Sequence, residues 1–179
     1  TRRIINKLLA YSVDTAGSIM TTEYIDLKKE MTVDEAFDRI RYLGVETESI
    51  YTCYITDKGR KLLGVITVKE LLLNPKGRVI GELMRENVIC ASTNEDREEV
   101  AAKFSKYDLY ALPVVDSEER LVGIVTVDDA IEVIEEEATE DIEKMAAISP
   151  SEKPYLKTSV WETWKKRTPW LLLLMISAT

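Results

Sequence analysis

The chain has 179 residues, 24 Lys and Arg against 32 Asp and Glu, a net charge of −8 and no histidine. That length holds one domain or two small ones, and the acidic balance argues against nucleic acid as a partner. The lack of histidine excludes imidazole bases, His-containing zinc sites and Ser-His-Asp triads.

The first residues, TRRIINKLLAYS, lack the apolar core and cleavage site of a signal peptide. Residues 1–17 read as the tail of a preceding helical segment, so the chain is expected to begin inside a longer protein. An internal repeat then sets the organisation. Gly17-Ser-Ile-Met20 recurs as Gly81-Glu-Leu-Met84, an offset of 64, and Gly64-Val-Ile-Thr-Val68 recurs as Gly123-Ile-Val-Thr-Val127, an offset of 59. The first copy carries the five extra residues around Gly44–Ser49, where GVETES is loop-like.

In copy one the apolar segment Tyr24–Leu27 is followed by Thr32-Val-Asp-Glu35, a capping box. The helix it opens places Val33, Ala36, Phe37 and Ile40 on one face. A strand over Ile50–Ile55, a turn at Thr56–Gly59, a β-branched strand over Leu63–Val68 and a helix over Lys69–Leu73 complete the unit. Copy two repeats the order: Val88–Ala91, the helix start Thr93-Asn-Glu-Asp96, an apolar face of Val100, Ala101 and Phe104, a strand over Ala111–Val115, a turn at Asp116–Glu119, a strand over Leu121–Val127 and a helix from Asp128 onward. Each unit reads β-α-β-β-α, about 60 residues, too small for a comfortable core alone. Pairing the two sheets across a pseudo-twofold axis would bury both apolar faces, which makes the fold class α+β. Cys53 and Cys90 lie in the apolar runs IYTCYI and VICAS with no CxxC partner. They read as two buried free thiols of a reducing cytosol.

The closing helix of copy two is the most charged part of the chain. Asp128–Glu143 carries nine carboxylates and no basic residue. Asp129, Glu132, Glu136 and Glu140 fall at i, i+3 or i+4 spacing, where like charges cost roughly 0.2–0.5 kcal/mol per pair. A hard divalent cation reverses the sign of that cost; without one, the stretch is a solvated acidic helix. Further on, Lys165-Lys166-Arg167-Thr-Pro-Trp170 precedes LLLLMISAT. The apolar run is shorter than the roughly 20 residues of a spanning helix, yet basic cluster, Trp and leucine run follow the order of a membrane helix leaving the cytoplasm. Val160, Trp161 and Trp164 beside the basic cluster suit an interfacial helix, or one that packs its aromatics on a soluble core.

The phrases Ala111-Leu-Pro-Val-Val-Asp116 and Leu121-Val-Gly-Ile-Val-Thr-Val-Asp-Asp129 resemble the second copy of a tandem CBS-domain pair, a Bateman module. A narrower resemblance, to the cytosolic part of MgtE-type magnesium transporters, rests on Thr15–Tyr24, Ile50-Tyr51, Lys106-Tyr-Asp108, Ala138–Ile142, Lys144–Ala147 and the leucine-rich exit. It implies CBS domain 1 over 18–80, CBS domain 2 with the acidic helix over 81–143, a linker (plug) helix over 144–169 and the truncated start of a first transmembrane helix over 170–179. It also implies a regulatory segment without catalysis, facing the cytoplasm at the inner membrane. Its partners would be a second copy through the CBS domains, its own upstream acidic helical domain and its transmembrane domain, with the tail at the membrane. Several Mg2+ ions would bind its acidic surfaces and close the gate when magnesium is plentiful. The carboxylates matching that pattern are Asp96, Glu98, Asp108, Asp129, Glu132, Glu137, Glu140 and Asp141, with Glu135, Glu136 and Glu143 supplying field.

CBS modules also hold nucleotides, ATP in some members, through a Thr or Ser followed three residues later by Asp. Copy two has Thr126-Val-Asp-Asp129. Copy one has Thr67-Val-Lys-Glu70, where the extra methylene of Glu70 is expected to push its carboxylate into the ribose space. Thr67, Lys69 and Glu70 are the nucleotide candidates, and an adenine-nucleotide-sensing module is the alternative function.

Overall fold

The computed structural model describes residues 11–45 and 47–145. Residues 1–10 of the expected N-terminal tail, the linker helix beyond residue 145 and the membrane-helix start lie outside the described residues. Two units divide the chain, Thr1–Val133 and Ile134–Thr179. The first holds both copies of the repeat up to the start of the last helix; the described part of the second is the rest of that helix.

Copy one comprises α1 (Ala16–Ile19), β1 (Asp26–Leu27), α2 (Val33–Leu43), β2 (Thr52–Thr56), β3 (Leu62–Thr67) and α3 (Val68–Leu73). Copy two comprises a 3-10 turn (Ile80–Glu82), β4 (Ala91–Ser92), α4 (Arg97–Tyr107), β5 (Ala111–Val115), β6 (Leu121–Thr126) and α5 (Val127–Met145). Each copy builds one three-stranded sheet, in the orders β1-β2-β3 and β4-β5-β6, with the first pair parallel and the second antiparallel.

Local chemistry sets these boundaries. Thr32 caps α2 in the expected capping box, and the helix buries Val33, Ala36 and Ile40, with Phe37 partly buried. The third strand of each copy, β3 and β6, ends one residue before the expected position. Thr67 and Thr126 are already turning into helices, so Val68 and Val127 are helical rather than extended. The cap of α4 is Asp96, the last residue of the expected helix start, while Thr93 is held beside β5, its N–H donating to the Val115 carbonyl at 3.0 Å. β4 begins late for a related reason. In copy one the Tyr54 N–H donates to the Ile25 carbonyl at 2.9 Å; the corresponding residue of β5 is Pro113, which has no N–H to donate.

The two copies exchange their Gly-x-x-Met arms. Ala16 and Met20 pack into the copy-two core with Phe104, Leu112 and Val125, while Ile80, Leu83 and Met84 pack with Ile25, Ile55 and Ile66 of copy one. Thr21 bridges to Ile124 and Arg85 bridges to Val65, the same pair of contacts related by the two repeat offsets. Glycine is required where each arm crosses. A Cβ on Gly123 would lie 2.7 Å from the Thr21 carbonyl, and one on Gly64 would lie 2.8 Å from the Arg85 carbonyl.

The seam between the sheets is a third cluster of Tyr54, Ala111, Leu121 and Ile124, flanked by Tyr24, Leu62 and Val65. It realises the expected burial of one sheet against the other. At one end the hairpin tips join: Leu62 N–H donates to Glu119 O at 3.1 Å and Leu121 N–H to Arg60 O at 2.9 Å. Arg60 and Glu119, which share a repeat position, both have positive φ, 68° and 60°. Tyr51 and Tyr110, also equivalent, meet with ring centroids 6.1 Å apart. These self-equivalent pairs mark the pseudo-twofold axis.

Candidate functional site

Two corners correspond in the repeat, each formed where a strand turns into a helix. In copy one, the Thr67 N–H and hydroxyl both donate to Glu70 Oε2 at 2.7 Å, and the Glu70 N–H donates back to the Thr67 hydroxyl at 3.2 Å. Arg85 Nε faces Glu70 Oε1 at 3.4 Å. Partial burial alone would raise the Glu70 carboxyl; the Thr67 hydrogen bonds, Arg85 and Lys69 outweigh it and hold the group below the ordinary glutamate value. The extra methylene therefore does not push this carboxylate outward. It lets the side chain fold back over the helix start as a capping box.

In copy two the Thr126 hydroxyl donates to Asp129 Oδ2 at 2.5 Å, and its N–H makes a longer contact of 3.4 Å to the same oxygen. Arg85 has Thr21, a short hydroxyl with no charge to pair with Asp129, as its counterpart in the first arm. The role of Arg85 escapes sequence reading because it is contributed by the arm of the other copy; aligning it with Thr21 through the repeat is the signal that finds it.

The eight acidic candidates divide between α4 and α5. Asp96 caps α4 by accepting from the Glu98 N–H at 2.8 Å, and Glu98 lies in the first turn. Asp108 is the left-handed C-cap of the same helix, with φ 51° and ψ 47°. Eleven residues of helix separate these ends by about 16 Å, so Asp108 cannot share an ion with Asp96 or Glu98. On α5, Asp129 and Glu132 stand one turn apart in the first unit. In the second unit, Glu137, Glu140 and Asp141 lie within about 6 Å of helix rise. Lys144 Nζ meets Glu140 Oε1 at 2.8 Å. The Glu140 hydrogen bond, with the charges of Glu140, Asp141 and Glu137, holds the Lys144 ammonium above its ordinary value.

Among the described residues, no three Cys, Asp or Glu side chains converge as a ready-built metal cage. Hard oxygen donors in ones and twos on a helix surface instead fit a cation that keeps most of its waters, as magnesium does. Of the two thiols, Cys53 is buried as expected and Cys90 is only partly so.

A CBS-domain family model matches residues 16–76 and again 80–136. The chain belongs to the CBS-domain family. Over nearly its whole length it is also similar to MgtE magnesium transporters. Identity is 40% to that of Thermus thermophilus, covering 99% of this chain and 39% of the relative, and 36% to that of Enterococcus faecalis, covering 96% and 37%. The chain thus spans under two fifths of these relatives' length. A crystal structure of the cytosolic domain of the Mg2+ channel MgtE in complex with ATP shares the fold with TM-score 0.73 and 39% identity, covering 74% of this chain and 53% of that one. Among the described residues no helix is long and apolar enough to cross a membrane.

Proposed function

We propose that this chain is the cytosolic regulatory region of an MgtE-type magnesium channel or transporter, and that it binds several Mg2+ ions and closes the gate when intracellular magnesium is high. The observation that carries the reading is 40% identity to such a transporter over 99% of this chain, in a segment that includes the nine carboxylates of Asp128–Glu143. Asp96, Glu98, Asp108, Asp129, Glu132, Glu137, Glu140 and Asp141 hold the ions, most contacts being through retained water. Bound ions cancel the repulsion along α5 and favour the closed arrangement. Depletion restores the repulsion and favours the open one. Many weak sites acting together shift that equilibrium further than one site could.

In this reading the region works as a homodimer through its CBS domains. It is coupled to an upstream acidic domain and to a transmembrane domain in the inner membrane, and does no catalysis. Calorimetric titration with magnesium, using calcium and ATP as comparators, tests it. Several weak magnesium events support it; a chain silent to magnesium refutes it.

A second reading, adenine-nucleotide sensing, is favoured by the relative of known structure that holds ATP. Thr67, Lys69 and Glu70 are its candidate contacts, and one saturable ATP event would support it.

A further inference from the structure

Glu70 and Asp129 occupy one position of the repeat and engage their carboxylates differently. Glu70 Oε2 receives both donors of Thr67, and Oε1 faces Arg85. Asp129 uses Oδ2 for Thr126, and its Oδ1 accepts no hydrogen bond from the described residues. The arm residue beside each corner differs as well. Arg85 is pinned by its backbone to Val65, with N···O distances of 2.9 and 3.0 Å, while Thr21 is pinned to Ile124 in the same way at 2.8 Å. A long cation is therefore ion-paired at the copy-one corner, and a short hydroxyl stands at the equivalent position of copy two.

We infer that Glu70 and Arg85 together are a specificity device that bars a nucleoside ribose from the copy-one corner. A ribose diol is recognised by a carboxylate that accepts from its hydroxyls. At Glu70, Oε2 already accepts twice from Thr67 and Oε1 is ion-paired with Arg85 at 3.4 Å, so a ribose must compete with both an ion pair and a helix cap before it gains anything. Asp129 shows within the same molecule what one fewer methylene does: the side chain keeps the Thr126 hydroxyl and only a long contact to its N–H, and among the described residues its other oxygen has no ion pair like that of Glu70 with Arg85. The inference takes its corner from the nucleotide reading above and runs against that reading's choice of contacts: Glu70 keeps a ribose out and does not hold it.

The test is ATP titration by calorimetry of the whole chain as wild type, Arg85→Ala, and Glu70→Asp with Arg85→Ala, with thermal melting as the check on folding. The double variant should gain about ten-fold or more in ATP affinity, the scale of one hydrogen bond to a charged group. Arg85→Ala, which leaves the capping box intact, should gain in the same direction, so the test survives even if the double variant melts. No gain in folded variants overturns the inference. So does weaker wild-type binding on Glu70→Ala, since that would make Glu70 a contact. A wild type silent to ATP beside a double variant that binds it upholds the exclusion while refuting nucleotide sensing by the natural chain.

Discussion

Lys61 lies opposite Arg120 in an antiparallel bridge between the two hairpin tips. The two are separated by the repeat offset of 59, so each faces its own equivalent. The seam is therefore self-complementary. Disturbing an arm crossing on one side should cost as much as disturbing its counterpart.

Gly123→Ala and Gly64→Ala test that symmetry. Each new Cβ meets a carbonyl oxygen of the crossing arm at under 3 Å, and backbone cannot rotate away as a side chain can. Each variant should lose about 1–3 kcal/mol, the cost of overpacking a tight site, in urea unfolding. A neutral result at either position would show that the arm is held less tightly than the bridges imply.

Tyr54 is buried in the seam, and its hydroxyl finds no hydrogen-bond partner among the described residues. Burial pushes its acidity far below that of an ordinary phenol. Tyr54→Phe removes the unsatisfied oxygen and keeps the ring, so stability should be unchanged or rise by about 1 kcal/mol. Tyr54→Ala should lose about 3–5 kcal/mol through the cavity it leaves. A clear loss with phenylalanine would mean that the hydroxyl is satisfied, for instance by an internal water.

Asp26 joins β1 to α2 through Arg39, with Lys28 nearby. Burial alone would raise its carboxyl; the Arg39 hydrogen bond and charge, with Lys28, outweigh it and leave the folded value below the ordinary one. A depressed carboxylate contributes stability above its unfolded value, about pH 4, and loses it as pH falls through the lower folded value. Asp26→Asn should therefore destabilise the protein at neutral pH and converge with wild type in acid. Parallel melting curves at all pH values would contradict this.

Cys53 is buried, and desolvation pushes its thiol up to about 12. It should resist a disulfide reagent in the native protein and react only after unfolding. Cys90, half-buried and also raised, should react slowly but measurably. Equal rates for the two would place Cys53 nearer the surface than the fold has it.

The repeat was legible because its landmarks are chemical necessities. Gly64 and Gly123 must lack a Cβ, Thr32 and Glu35 reciprocally satisfy a helix start, and β-branched runs fill β3 and β6. The exchange of arms was not legible, because the period of the repeat is the same whichever core Met20 or Met84 enters. The late start of β4 follows from Pro113, once its pairing is known. At the candidate site, the carboxylates of α5 could be read directly from their density. The partner of Glu70 could not, since Arg85 comes from the arm of the other copy, and the folding-back of Glu70 depends on a rotamer that sequence does not display.

Lys144 gives the acidic helix an internal counter-charge beside Glu140. If Glu137, Glu140 and Asp141 hold magnesium, Lys144→Met should raise the affinity of the distal α5 sites by about two-fold at low salt, the scale of one exposed helix ion pair. The gain should shrink as salt is added, and a calorimetric comparison at two ionic strengths would show it.

The most direct test of magnesium sensing is small-angle scattering of the whole chain from zero magnesium to saturation, beside the Asp129→Asn, Glu132→Gln, Asp141→Asn variant. Progressive compaction of the wild type with magnesium, absent in the variant, is the predicted result. A radius of gyration that ignores magnesium, or a variant that compacts like wild type, would contradict the account and leave α5 a solvated acidic helix.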